Sequence, residues 1–187
     1  MTRLLVLVLP LALFAQESPY GVCAHVGGGQ EADTVARSLP MMAQAGIRHV
    51  RADFSWAGIE RKPGEWHFDT LDTVIAEAEK NGITLLPILD YNTAFANPAW
   101  QNLDAWCRYV EMTVRRYEKR LPVWEVWNEQ NLEGFWKNAN PTNYVILLKA
   151  TYATIKKVNP KLNVAIGGFA GIPMDFIEAI YQVGGKD

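Results

Sequence analysis

The sequence predicts an α/β fold of parallel strands, a TIM (β/α)8 barrel truncated to about its first five β/α units. Three observations predict it. Apolar strand-like runs begin near residues 20, 48, 84, 123 and 163 and alternate with helical patterns, one unit per 28–40 residues or so. Arg51, Asp53, Asp90, Asn128 and Glu129 fall at or near the carboxyl ends of those strands, where a barrel builds its active site. The glycines after the first strand, Gly27, Gly28 and Gly29, lack the G-x-G-x-x-G spacing of a nucleotide-binding sheet, which weakens the doubly wound alternative.

The elements follow in order. Residues 20–26 read as a strand and 31–45 as a helical stretch that Pro40 breaks or restarts and Gly46 ends. Residues 48–54 form the second strand, and a loop with Pro63 and Gly64 leads to Asp69 as a helix cap. Leu71, Val74, Ile75 and Ala78 then recur at helical spacing until Asn81-Gly82. Residues 84–91 are the third strand. Leu103, Trp106, Val110, Val114, Tyr117 and Leu121 mark the next helix face, with Trp106 in its core. Residues 123–128 are the fourth strand. Asn140-Pro141 caps a helix carrying Tyr144, Leu147, Leu148, Ile155 and Val158. Residues 163–168 are the fifth strand, and Asp175 opens a last helix.

The chain has 187 residues, with 18 Lys and Arg against 20 Asp and Glu, for a net charge of −2. That balance excludes an electrostatic nucleic-acid binder, and 49 % hydrophobic residues exclude a disordered chain. Arg3 precedes an apolar run over residues 4–14 broken only by Pro10, too short to span a bilayer but matching the core of a secretory signal. The alternative is a buried N-terminal helix or strand. The signal reading divides the chain into residues 1–15, removed after Ala15, and residues 16–187, and places the mature protein in the secreted or periplasmic space. No other segment reads as a membrane helix. Cys23 lies in the first strand and Cys107 in a helix two units away, too far for a bridge, so both read as small buried hydrophobes.

Chemistry concentrates at Val123-Trp124-Glu125-Val126-Trp127-Asn128-Glu129-Gln130-Asn131. A carboxylate at a strand end, beside an amide and large aromatics, suits sugar chemistry: acid for the glycosidic oxygen, amide for a ring hydroxyl, indole for a sugar face. Glycoside hydrolysis takes two such carboxylates, about 5–5.5 Å apart where configuration is retained. His25, His49 and His67 show no metal-ligand spacing, so neither a metal nor another cofactor is expected.

The motif W-E-V-W-N-E-Q-N at 124–131, followed by L-E-G-F-W at 132–136, resembles the clan A (β/α)8 glycoside hydrolases, which include families 5 and 39. H-V-R-A-D-F-S-W-A-G-I-E at 49–60 and P-G-E-W-H-F-D at 63–69 extend the resemblance, in order, over nearly the whole mature chain. It implies that Glu129 is the general acid/base and that Asn128 contacts the substrate's 2-hydroxyl. Gln130 stands where the clan usually has Pro. The resemblance also implies a nucleophilic Glu on a seventh strand. Eight units at this spacing need roughly 290 residues, so the chain reads as an N-terminal fragment lacking that nucleophile.

The expected activity is retaining hydrolysis of O-glycosidic bonds in a poly- or oligosaccharide, the carbohydrate being the one partner expected. A non-catalytic carbohydrate-binding barrel is the alternative. By resemblance Arg51 sits beneath the catalytic carboxylates and holds one ionised; otherwise it makes a structural ion pair with Asp53 or Glu125. Glu125 reads as a buried partner rather than a catalyst. His25 touches a sugar hydroxyl or is a satisfied loop group. Tyr91 and Asp90 line the cleft, or Asp90 caps a helix or is solvated. Trp56, Trp127 and Trp136, at strand ends and in loops, are the candidate sugar platforms.

Overall fold

The computed structural model describes residues 18–27 and 32–185. The proposed signal segment, and Gly28 and Gly29, lie outside these residues. Five parallel strands form one sheet in the order β1 (Gly21–Cys23), β2 (His49–Asp53), β5 (Thr84–Leu89), β6 (Val123–Asn128) and β7 (Asn163–Gly168). Each strand pairs with the next strand of that sheet in the chain, with no reversal of order. A doubly wound sheet reverses at its switch point, whereas an arc of a barrel does not. The helices between the strands, α1 (Ala32–Gln44), α3 (Asp69–Lys80), α4 (Leu103–Tyr117), α5 (Pro141–Val158) and α6 (Met174–Gln182), pack neighbour against neighbour.

All five sheet strands start within two residues of the expected positions, because apolar runs bounded by turn residues mark them. Alternation decides their faces. Val50, Ala52 and Phe54 are buried with the helix side chains, and Arg51 and Asp53 stand on the other face, the interior of a barrel. Three local expectations change. The loop at Pro63-Gly64 is a small antiparallel hairpin, β3 (Glu60–Lys62) with β4 (Glu65–Trp66), preceded by the short helix α2 (Trp56–Ile59). Its anchor is the buried Glu60 carboxylate, which accepts from Trp56 Nε1 and Gly64 N, both at 2.8 Å. Asp69 is the first residue of α3 rather than its cap; Phe68 holds that position and offers no side-chain acceptor. Pro40 lies inside α1 without ending it. Asn140 caps α5 as expected, its Oδ1 accepting from Thr142 N at 2.8 Å.

Both cysteines are free. Cys107 is half-buried against the core, but Cys23 is exposed: it shares the sheet face of Arg51, whose Nη1 donates to its Sγ at 3.3 Å. Among the described residues no helix is long and apolar enough to cross a membrane.

An ion-pair ladder joins α3 to α4. Arg116 Nε and the Tyr117 hydroxyl both donate to Asp72 Oδ1 at 2.9 Å, and Arg120 grips Glu79 with two bonds of 2.6 Å. The Arg116 guanidinium holds the Asp72 carboxyl below the usual range against a smaller opposing effect of burial. A depressed folded pKa gives stability that is present above the ordinary carboxylate range and lost as pH falls through the folded value. The Asp72 side chain is 37 % exposed, so screening limits the pair to less than about 1 kcal/mol. Asp72→Asn is therefore expected to lower the melting temperature slightly at neutral pH, and the difference from wild type should shrink as pH falls below the ordinary carboxylate range. Thermal melts at neutral and at acidic pH check this.

Candidate active site

The backbone at the end of β6 is unusual. Trp127 has φ 72° and Glu129 φ 53°, values that bulky side chains rarely adopt and that cluster at functional sites. Simple alternation puts Trp127 on the barrel face with Glu125. The positive φ instead turns Trp127 into the aromatic packing and brings Asn128 to the face of Glu125. Neighbours hold this turn in place. Glu129 N donates to Gly168 O at 2.7 Å, and Gln130 Nε2 donates to Gly167 O at 2.8 Å. Asn131 exchanges two bonds with the backbone of Ala170, at 3.0 and 3.1 Å. The Tyr144 hydroxyl bridges Val126 O and Gly167 N, both at 2.9 Å. Gly167 is required here, since a Cβ would come within 2.5 Å of Val126 O and 2.6 Å of Trp127 O.

Arg51 organises the face beneath. Its Nε and Nη2 grip both oxygens of Glu125 at 2.8 and 2.7 Å, and Nη2 also donates to Asn128 Oδ1 at 2.8 Å. The Glu125 bonds raise Arg51 above its ordinary range, so it stays a cation. Of the two pairings open to Arg51, the structure makes the one with Glu125. Because Arg51 can only donate, the Asn128 carbonyl oxygen must face it and the amide nitrogen must face away. That nitrogen donates to the Tyr91 hydroxyl at 2.9 Å. Burial pushes Tyr91 up to about 12, so it remains a neutral phenol with its own proton to give. Asn128, Tyr91 and Arg51 thus form one chain of donors and acceptors. The Glu129 carboxyl, half-buried at the end of β6, takes no hydrogen bond or ion pair from the described residues.

Other site candidates separate. His25 lies at the same rim, 76 % exposed, with Nδ1 2.7 Å from Asp53 Oδ2. Asp90 is fully buried, so it is neither a cap nor a solvated group. Trp56, Trp127 and Trp136 are buried to 0 %, 0 % and 2 % exposure and carry no open face for a sugar. Trp56 stacks on Tyr109 and meets Trp106 edge-on; Trp127 packs edge-on against Trp136. A strand-end position suggested platforms, but these indoles pack inward and fill the layer between sheet and helices, as Trp106 does. Sequence reasoning passed over Gln130, Asn131 and Tyr144 as positioning groups. Gln130 carried a signal, since it replaces the usual Pro with a side chain able to latch onto the next strand.

Two family models match the chain. The model for glycosyl hydrolases family 39 covers residues 88–182, half of the chain, and a β-galactosidase model covers residues 29–105. A β-xylosidase of Geobacillus stearothermophilus is 38 % identical over 81 residues, which are 42 % of this chain and 14 % of that protein. A solved family 39 glycoside hydrolase from Bacteroides cellulosilyticus WH2 is 28 % identical with a TM-score of 0.69, matching 88 % of this chain and 35 % of its own. A monomeric β-xylosidase from Caulobacter crescentus, 21 % identical with a TM-score of 0.65, matches 88 % of this chain and 39 % of its own, and shows the fold alone. The chain therefore spans little more than a third of these solved relatives, and its sheet is the partial (β/α)8 barrel the sequence predicts. With the family 39 model across β6, Glu129 and β7, the chain belongs to the family 39 glycosyl hydrolases.

Proposed function

We propose that this chain carries the acid/base half of the active site of a retaining glycoside hydrolase, with Glu129 as the proton donor. One observation carries the reading: a carboxyl with no partner among the described residues stands at the end of the fourth barrel strand, beside an amide fixed in orientation by Arg51 and Tyr91. An unpaired carboxyl can exchange a proton with substrate, and a fixed amide can hold the 2-hydroxyl. Of the other carboxylates at this rim, Glu125 is gripped by Arg51, Asp53 faces His25 and Asp90 is buried. The nucleophile is then a second carboxylate from a later strand, about 5–5.5 Å from Glu129.

In the first step that carboxylate attacks the anomeric carbon, the glycosidic bond breaks, and Glu129 gives its proton to the departing oxygen. In the second step Glu129 takes a proton from water, which attacks the same carbon and releases the nucleophile, so configuration is kept. The similarity to β-xylosidases makes β-xylosides the first substrate class to test, and the apolar run at residues 4–14 supports export from the cytoplasm. The full-length protein is expected to hydrolyse an aryl β-xyloside within a panel of aryl glycosides. Proton NMR at early times should show the sugar released in the substrate's anomeric form. Inverted product, or binding of oligosaccharides without turnover of any panel member, overturns the reading.

A further inference from the structure

A second group of side chains meets at the same rim, on the β1–β2–β5 side. Asp53 is in register with Ile88, and Asp90 follows Ile88 by two residues, which puts both carboxyls over one face. Asp90 is completely buried, and no donor of the described residues reaches either of its oxygens. The pairing of β2 with β5 brings the Asp53 carboxyl to the same face, and the two carboxyls interact. Two carboxyls hydrogen-bond only when one of them carries a proton. Burial first, and then the Asp53 contact and charge, raise Asp90 well above the usual carboxylate range; Arg51 opposes this weakly and Glu125 adds to it. The other titratable groups nearby are Tyr91 and Tyr109. The Tyr109 hydroxyl donates to the Phe54 carbonyl, so it is not the missing donor.

We propose that Asp90 is a neutral carboxylic acid that donates its proton to Asp53, and that this pair orients His25 to accept a hydrogen bond from a carbohydrate hydroxyl. The carbohydrate rests on the function proposed above; the proton arrangement does not. Asp53 accepts from the Asp90 hydroxyl and from His25 Nδ1, which lies at 2.7 Å. His25 is thereby held with its hydrogen on Nδ1, and its Nε2, on a ring 76 % exposed, is the acceptor at the rim. The opposite arrangement, with the proton on Asp53, has Asp53 donating to Nδ1 and leaves the hydrogen on Nε2. Because the Asp53 proton is then spent on Nδ1, it also leaves Asp90 an ionised, buried carboxylate with no donor among the described residues, which desolvation opposes. Asp53 and Asp90 are positioning residues, and His25 is the group that touches ligand.

Three measurements on the full-length protein test this. At about pH 8, where exposed carboxyls are ionised and imidazole is neutral, the infrared spectrum should hold a protonated-carboxyl stretch that Asp90→Asn removes. Nitrogen NMR should show His25 with its hydrogen on Nδ1, and Asp90→Asn should keep it there, because the amide still donates to Asp53. His25→Ala should raise KM about tenfold while kcat changes less, the loss of one hydrogen bond to the ligand. An infrared band absent from wild type or persisting in Asp90→Asn, or a hydrogen on Nε2, overturns the shared proton. A KM that does not move overturns the ligand contact. The spectroscopic results need no turnover, so they stand or fall apart from the glycosidase reading.

Discussion

Glu129→Gln is expected to slow hydrolysis by the full-length protein about 10²–10⁴-fold while leaving its fold intact. The glutamine has the same size and the original carboxyl has no partner to lose among the described residues, so little stability is at stake. The loss should depend on the leaving group. A phenol of low pKa departs without protonation, so its glycosylation step suffers least; a poor leaving group suffers most. Water still needs a base in the second step, so the glycosyl-enzyme should accumulate. Azide needs none, and adding it should restore turnover and release a glycosyl azide of the substrate's own configuration. Leaving-group series, pre-steady-state bursts and product NMR measure these effects. A uniform loss across leaving groups, with no azide rescue and a lowered melting temperature, would make Glu129 a structural carboxylate.

The same residue marks where the sequence can be read and where it cannot. Strand starts were legible because a short apolar run between turn residues has few other solutions, and the faces of β2 followed from a period of two. The W-N-E motif located Glu129 and Asn128. What the motif did not contain is the reversal of φ at Trp127 and Glu129, since backbone conformation there is set by contacts to Gly167, Gly168 and Ala170, some forty residues away in sequence. Alternation carried through Trp127 therefore assigned the wrong side chain to the barrel face. The tryptophans failed for a related reason. An indole at a strand end is equally compatible with a cleft and with the layer beneath the helices, and only packing against Trp106, Tyr109 and Tyr144 decides it. Asp90 shows the limit most clearly. Its sequence neighbours suggest a polar strand end, but its chemistry comes from burial beside Asp53, which only the pairing of β2 with β5 creates.

Arg51→Met is expected to destabilise the protein by about 3–5 kcal/mol, the cost of leaving a buried carboxylate without its partner. The Glu125 side chain is 5 % exposed and receives two of its hydrogen bonds from Arg51; the third comes from Gly168 N at 2.7 Å. That third bond is possible because Gly168 brings its backbone close; a Cβ there would lie 3.1 Å from Arg51 Nη2. Without the guanidinium, Glu125 keeps only the bond from Gly168 N, and Asn128 loses the donor that fixes its carbonyl oxygen. Stability and activity should therefore both fall, and a second substitution separates them. Arg51→Met combined with Glu125→Leu removes both charges and fills the space with apolar atoms, a replacement that is often neutral for buried pairs. The double variant should recover most of the lost stability, read as the urea midpoint at unchanged slope. Its kcat/KM should stay low, because Asn128 then keeps only its bond to Tyr91 and lacks the donor that fixes its carbonyl oxygen. If the double variant regains full activity, Arg51 acts only on stability. If Arg51→Met alone leaves the urea midpoint unmoved, the Arg51–Glu125 pair does not hold this rim together.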